Sequence, residues 1–377
     1  MVQSTMTPAP AVKHPDATPT PMSIEECPEL LDAMVRDGAK QAGLYQPGPY
    51  WKTKTRAAAS QIKRLGLNGF RNFKSGVGTS FADNVFVDMR SALDAGRGRP
   101  VKFLFEHVFP FSTVMNGQVA LTRGYAQDAL ALTAARVGES AETRDLLSKY
   151  EMPYSLLGDC VATTDFEGRP VSLHYLKLLQ LIDRVGRHAP LDQARSLLEI
   201  GGGFGANVHL LLELFPKLRK VVYLDIPPNL YVGSCYLRSF YGSAVRDYRQ
   251  TRLLERVEFK DDDSLEIIAI CPWQIEALDL SIDVFWNAHS FVEMPWGVVK
   301  NYAKHVLSLG KDGEMCVALA SYGGGGPDTI APERLPTAFP GREFAADEFW
   351  LLGWPIATRR DPERDEVSRI SLFVSAH

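Results

Sequence analysis

Glu199, Gly201, Gly203 and Gly205 fall on alternate positions of Glu199-Ile-Gly-Gly-Gly-Phe-Gly205, with Gly202 between them, and Asp225 stands twenty residues beyond the last. Glycines in such a turn let the main chain approach a ligand closely, and a helix starting just after it offers unpaired N–H groups. An acid at the distance of Asp225 can hold both hydroxyls of a ribose. A second group, Trp286-Asn-Ala-His-Ser-Phe-Val-Glu-Met294, carries candidates for proton transfer. His289 changes charge near neutral pH and is the best-placed base. Glu293, four residues on, could orient His289 across one helical turn or cap that helix.

The elements that must position these groups follow from the apolar pattern. Ser196–Ile200 has the length of a buried strand, Asn207–Phe215 reads as a helix closed by Pro216, and Val221–Leu224 is a second strand ending on Asp225. A crossover helix at Leu230–Tyr241 and a polar insertion at Ser243–Ser264 come next. Strands are expected at Leu265–Cys271, Ile282–Trp286 and Glu314–Ser321, with a helix at about 296–309. Pro355–Thr358 and Arg369–Val374 would close the sheet as an antiparallel hairpin at its edge. Strands alternating with helices predict an α/β fold, with a mostly parallel sheet covered on both faces. Ligands in such sheets bind beyond the carboxyl ends of the strands. That rule adds Trp273 and Gln274, as a stacking and amide contact for a nucleobase, and Asn287.

A dinucleotide site would prefer G-x-G-x-x-G, its third glycine inside the helix. The pattern here, E-x-G-x-G-x-G, resembles motif I of the class I S-adenosylmethionine (SAM) methyltransferases. The resemblance implies a Rossmann-like, seven-stranded, mostly parallel sheet and SAM as methyl donor, with S-adenosylhomocysteine (SAH) as product. It implies cofactor contacts from Glu199, Gly201, Gly202, Gly203, Gly205 and Asp225, joined by Trp273, Gln274 and Asn287. The opposing reading of the same glycines is a structural turn that binds nothing.

Ahead of the sheet, residues 1–22 hold prolines at 8, 10, 15, 19 and 21 and read as a disordered tail. Residues 23–170 read as a mostly helical cap, and residues 171–377 as the SAM-binding domain. Ser23-Ile-Glu-Glu26 has the form of a capping box, opening a helix to about Gly43. The aromatic turn Tyr45-Gln-Pro-Gly-Pro-Tyr-Trp51 precedes a helix to Leu65. Helices are expected at about 119–137 and 140–150, a short hairpin within Gly158–Ser172 and a helix at Val171–His188. Such a cap would supply the acceptor pocket, with Trp51, His107, His174 and Trp286 as substrate contacts. The proline-rich stretch from 322 to 346 is long for a connector and suits a lid.

Leu44-Tyr-Gln-Pro-Gly-Pro-Tyr-Trp-Lys52, Gly66-Leu-Asn-Gly-Phe-Arg-Asn72, Gly168-Arg-Pro-Val-Ser172 and Asn287-Ala-His-Ser-Phe-Val-Glu-Met294 resemble a family of sugar O-methyltransferases, over about residues 24–320. That likeness implies a sugar or glycosylated metabolite as acceptor. A C- or N-methyltransferase on another natural product, or a catalytically silent scaffold subunit of the same fold, are the alternatives. The exposed run Asp261-Asp-Asp263 could take Mg²⁺ but reads better as a solvated loop, so no metal is expected.

A net charge of −4 and the absence of a basic run with interleaved aromatics argue against nucleic acid as a partner. No uninterrupted apolar span is long enough for a bilayer, and the first residues lack the order of a signal peptide. Five cysteines, odd in number and without C-x-x-C, fit reduced thiols in a cytoplasmic enzyme. The expected partner is a small-molecule acceptor, and a homo-oligomer is compatible with this reading.

Overall fold

The computed structural model describes residues 23–72, 123–153, 156–311, 314–323, 329–352 and 369–376. The tail 1–22, His107 and the strand expected at Pro355–Thr358 lie outside the described residues.

The chain opens with α1 (Pro28–Gly38) and α2 (Pro49–Leu65), each with proline in its first turn, where the missing N–H is no loss. The capping box expected at Ser23–Glu26 is not one. These residues precede the helix, and Glu26 Oε1 instead accepts the Leu67 N–H at 2.8 Å. Helices α3 (Arg123–Glu139) and α4 (Ala141–Lys149) follow. A hairpin, β1 (Thr163–Phe166) and β2 (Arg169–Ser172), turns at Glu167 and Gly168, both with positive φ. This suits a two-residue hairpin loop.

Helix α5 (Leu173–Gly186) leads to β3 (Ser196–Ile200), α6 (Ala206–Leu214), β4 (Lys220–Leu224) and α7 (Pro227–Tyr241). Next come β5 (Val245–Arg246), the single turn α8 (Tyr248–Thr251), β6 (Glu266–Ile270) and β7 (Val284–Ala288). The last elements are α9 (Trp296–Ser308), β8 (Cys316–Tyr322), β9 (Ala345–Trp350) and β10 (Arg369–Ser375).

The sheet runs β5-β6-β4-β3-β7-β8-β10-β9. All its neighbours pair in parallel except β10, which is antiparallel to both β8 and β9. This is a Rossmann-like α/β sheet that starts in the middle and builds outward to each side. Among the described residues it has an edge strand that was not expected, because two residues of the polar insertion, Val245 and Arg246, extend the sheet beyond β6. The partner of β10 also differs from expectation: it is Ala345–Trp350, which begins at the end of the stretch read as a lid and runs beyond it.

Strand side chains alternate between two cores. Leu197, Val221, Tyr223 and Trp286 face the helices α5, α6 and α7, whereas Leu198, Val222, Phe285 and Leu319 face α9 and a 3-10 segment at Pro332–Ala338. Burial on both faces makes the middle strands continuous apolar runs.

Candidate functional site

Beyond Ile200 the chain turns on Gly201, Gly203 and Gly205, at φ +80°, +63° and +83°. Gly205 caps α6 from the left-handed region, which a side chain would strain. The four loop glycines are not equivalent. A Cβ on Gly202 would press on Glu199 and Tyr223, and one on Gly205 would lie 2.9 Å from Leu237. Gly203 alone of the four has open space where a side chain would stand. Its N–H donates to Asp225 Oδ2 at 2.8 Å, and the Ile226 N–H donates to Oδ1 at 2.7 Å.

Asp225 is buried, and that burial pushes its carboxyl up to about 7 despite the two N–H donors. Glu199 lies deeper. One of its oxygens accepts from Asn207 Nδ2 at 2.9 Å; the other is buried with no hydrogen-bond partner, beside Gly202. Burial first, and then the nearby Asp225, raise Glu199 to about 8. A buried polar atom left without a partner beneath a glycine turn is costly unless something else completes it.

Asn287, expected to touch the cofactor, is committed elsewhere. Its Nδ2 donates to the Ile200 carbonyl at 2.8 Å and reaches Ser290 Oγ at 2.6 Å, while Oδ1 accepts the Phe291 N–H at 3.1 Å. It clasps the end of β3 to the turn after β7. Ser290 sits so close to Gly201 that a Cβ there would overlap it. Gly201→Ala should therefore destabilise the protein by on the order of 2–4 kcal/mol, the sum of left-handed strain and overpacking. Urea unfolding measures this, and a change under 1 kcal/mol would show the clasp to be loose.

His289 follows β7 with φ +69°, a strained conformation for a non-glycine residue, held by its N–H donating to the Ala320 carbonyl at 2.7 Å. The ring stands 5.8 Å from that of Tyr322, centroid to centroid, and its Nδ1 is buried with no hydrogen-bond partner. Burial, with the Lys177 ammonium nearby, pushes the imidazole down to about 3. It is neutral across the physiological range, with a ring nitrogen able to accept a hydrogen bond.

Glu293 does not orient His289. The chain after His289 forms a 3-10 turn, Phe291–Glu293, instead of continuing as an α-helix. The carboxylate accepts the Trp51 indole N–H at 2.8 Å and the Tyr322 hydroxyl. Trp51 thus ties α2 to the turn after β7. The connection from α1 to α2 crosses the carboxyl ends of the strands: Gly38 abuts Trp273 and Pro227, and Gly48 abuts Pro295. Trp51→Phe, which deletes one hydrogen bond to a charged group, should cost about 1–2 kcal/mol. Faster amide exchange confined to α2 would show it; unchanged exchange there would mean the bond holds nothing.

The remaining candidates divide. His174, at the start of α5, packs on Phe204 of the glycine turn at 5.0 Å between centroids. Burial, then the charges of Lys177 and Arg71, hold it well below the usual imidazole range. Through Lys177 it shares a neighbourhood with His289. Trp286 does not line the site. It is buried in the core beside Leu191, Leu197 and Phe215, on the face covered by α6. Gln274 is also spoken for: Oε1 accepts the Cys271 N–H and Nε2 donates to the Thr251 carbonyl, each at 2.9 Å. Trp273 is half-buried under Gly38, edge-on to Tyr248 at 6.0 Å. Asp262 pairs with Lys220 and Ser264, and Asp263 faces Arg195, on the exposed surface.

Tyr322, Tyr223 and Lys177 were not among the expected site residues. Tyr322 ends β8, so the carboxyl-end rule that nominated Asn287 also reaches it.

No family model matches the chain, and no curated protein matches it in sequence. Among solved structures, the chain is similar to the O-methyltransferase TomG from Streptomyces achromogenes, involved in tomaymycin synthesis and solved in complex with SAM. The two are 14% identical, the match covers 65% of this chain and 90% of TomG, and the TM-score is 0.33. It is also similar to the N-methyltransferase NodS from Bradyrhizobium japonicum, at 12% identity over 54% of this chain and 97% of NodS, with a TM-score of 0.34. Likenesses of that strength say nothing of substrate or chemistry. Among the described residues no helix is long and apolar enough to cross a membrane.

Proposed function

We propose that this chain is a SAM-dependent O-methyltransferase whose acceptor is a hydroxyl of a sugar or glycosylated metabolite. The observation that carries the cofactor reading is the environment of Gly203. Its backbone is left-handed, its outer side is open, its N–H points at Asp225, and an unpartnered Glu199 oxygen lies under the turn. These features fit an adenosine ligand: a carboxyl for the ribose, a bare main chain for close approach and an unpartnered polar oxygen beneath.

Bound SAM would supply an electrophilic methyl group on a sulfonium. The chain's own tasks are then alignment, exclusion of water and removal of a proton. Asp225 and the Gly203 main chain hold the ribose side. His289, neutral and held rigid by its N–H bond to β8, takes the acceptor hydroxyl proton on its ring. The α1–α2 connection, anchored by Trp51 on Glu293, shields the crevice. The sugar acceptor rests on the motif resemblance, with the half-buried Trp51 and Tyr322 rings as its flat apolar faces.

Calorimetric titration with SAH, with NAD as control, tests the cofactor. Micromolar binding to SAH alone is expected. Binding to NAD alone would make this a dinucleotide-binding protein, and binding to neither would favour a scaffold subunit.

A further inference from the structure

We infer that Tyr223 is the positioning residue of the glycine turn: its phenol fixes the Gly203 carbonyl from below and so aims the Gly203 N–H at Asp225. The assignment of that turn to a cofactor rests on the function proposed above; the role of Tyr223 in setting it does not.

Tyr223 projects from β4 into the core shared with α6 and α7 and is completely buried. Its hydroxyl donates to the Gly203 carbonyl and lies 3.3 Å from the Asn229 carbonyl. Two glycines in different elements make room for it. A Cβ on Gly202 would lie 2.9 Å from the ring, and one on Gly233, in α7, would overlap the hydroxyl and the ring together. Burial, with Asp225 and Glu199 nearby, holds the phenol well above its ordinary range, so the donor proton stays in place.

Gly203 is therefore gripped at both polar ends by two side chains two positions apart. Tyr223 takes the carbonyl and Asp225 the N–H. A glycine with open space above it has nothing of its own to fix its peptide planes. Without the phenol, the carbonyl loses its buried donor and the peptide after Gly203 can rotate; with no side chain to restrict φ and ψ of Gly203, the preceding peptide, which carries its N–H, can then swing away from Asp225. A sterically faithful test is Tyr223→Phe, which removes one oxygen and leaves the ring to fill its space.

The experiment compares the full chain with Y223F by amide hydrogen exchange across residues 201–206 without ligand, and by SAH titration. In Y223F, exchange in the turn should accelerate at least tenfold while β3 and β4 stay protected, and the SAH Kd should rise about tenfold. Tyr241→Phe, which removes a half-buried hydroxyl bonded to the His209 carbonyl and Glu213, should change neither. Turn exchange and affinity within twofold of the unmodified chain would overturn the assignment. So would acceleration spread evenly over β3 and β4, because that marks general destabilisation. Faster turn exchange in a protein that binds no SAH would uphold the role of Tyr223 and overturn the cofactor reading.

Discussion

Asp225→Ala is expected to weaken SAH binding by on the order of 1.5–3 kcal/mol, roughly ten- to a hundred-fold, with the fold retained. The carboxylate is the only acidic group bonded to the turn's main chain among the described residues, through Gly203 at 2.8 Å. Alanine removes the acceptor for the ribose hydroxyls and also frees the Gly203 N–H. Asp225→Asn keeps one acceptor oxygen and should fall between the two. Acidity gives a second signature. Burial raises Asp225 to about 7, and a ribose needs its unprotonated form as hydrogen-bond acceptor. SAH affinity should therefore rise as pH goes from about 6 to 8, and the asparagine variant should lose that dependence. Unchanged affinity in the alanine variant would remove Asp225 from the site.

His289→Ala should leave SAH affinity within twofold and lower methyl transfer by on the order of 10²–10⁴-fold, the loss expected for a general base. Because burial and Lys177 depress the imidazole to about 3, protonation of His289 should impose no acid limb on turnover between pH 5 and 8. The strained backbone adds an internal control. At φ +69° a glycine is at ease, so His289→Gly should be as inactive as the alanine variant yet the more stable of the two by about 1 kcal/mol. Full activity in both would sink the base assignment and move the acceptor toward a nitrogen or carbon, which needs no such proton transfer.

The glycine turn and Asp225 were legible in the sequence because they depend on local backbone requirements. Left-handed φ calls for glycine wherever the turn occurs. The succession of core strands and helices along the chain was legible through the alternation of short apolar runs with helical stretches. Side-chain roles were less so. Asn287 and Gln274 sit where a ligand contact is expected, but their partners, Ile200 and Thr251, are 87 and 23 residues away, and no local pattern announces them. Glu293 has a plausible partner four residues back, yet a 3-10 turn breaks the helical spacing and Trp51, 242 residues distant, takes it. Trp286 was misplaced because β7 is buried on both faces, so alternation does not tell which side meets a helix. The last misreading has the opposite cause. β9 is mostly exposed, Ala-Ala-Asp-Glu-Phe-Trp, and shows no apolar run to mark it as a strand.

The ties across the strand ends also bear on how the chain is made. Cys27 bonds Tyr231, Tyr45 bonds Glu276 and Trp51 bonds Glu293, partners 204 to 242 residues apart. At a synthesis rate of about 5–20 residues per second, α1 and α2 wait roughly 10–50 s for the surface on which they dock. α1 buries Leu30, Leu31 and Met34 in the finished protein, and these side chains are uncovered throughout that interval. The sheet itself stays incomplete for longer, since β10 inserts between β8 and β9 only after residue 375 is made. Slower codons anywhere between residues 65 and 231 should therefore raise aggregation of the nascent chain more than slower codons after residue 293, as the yield of soluble protein would show.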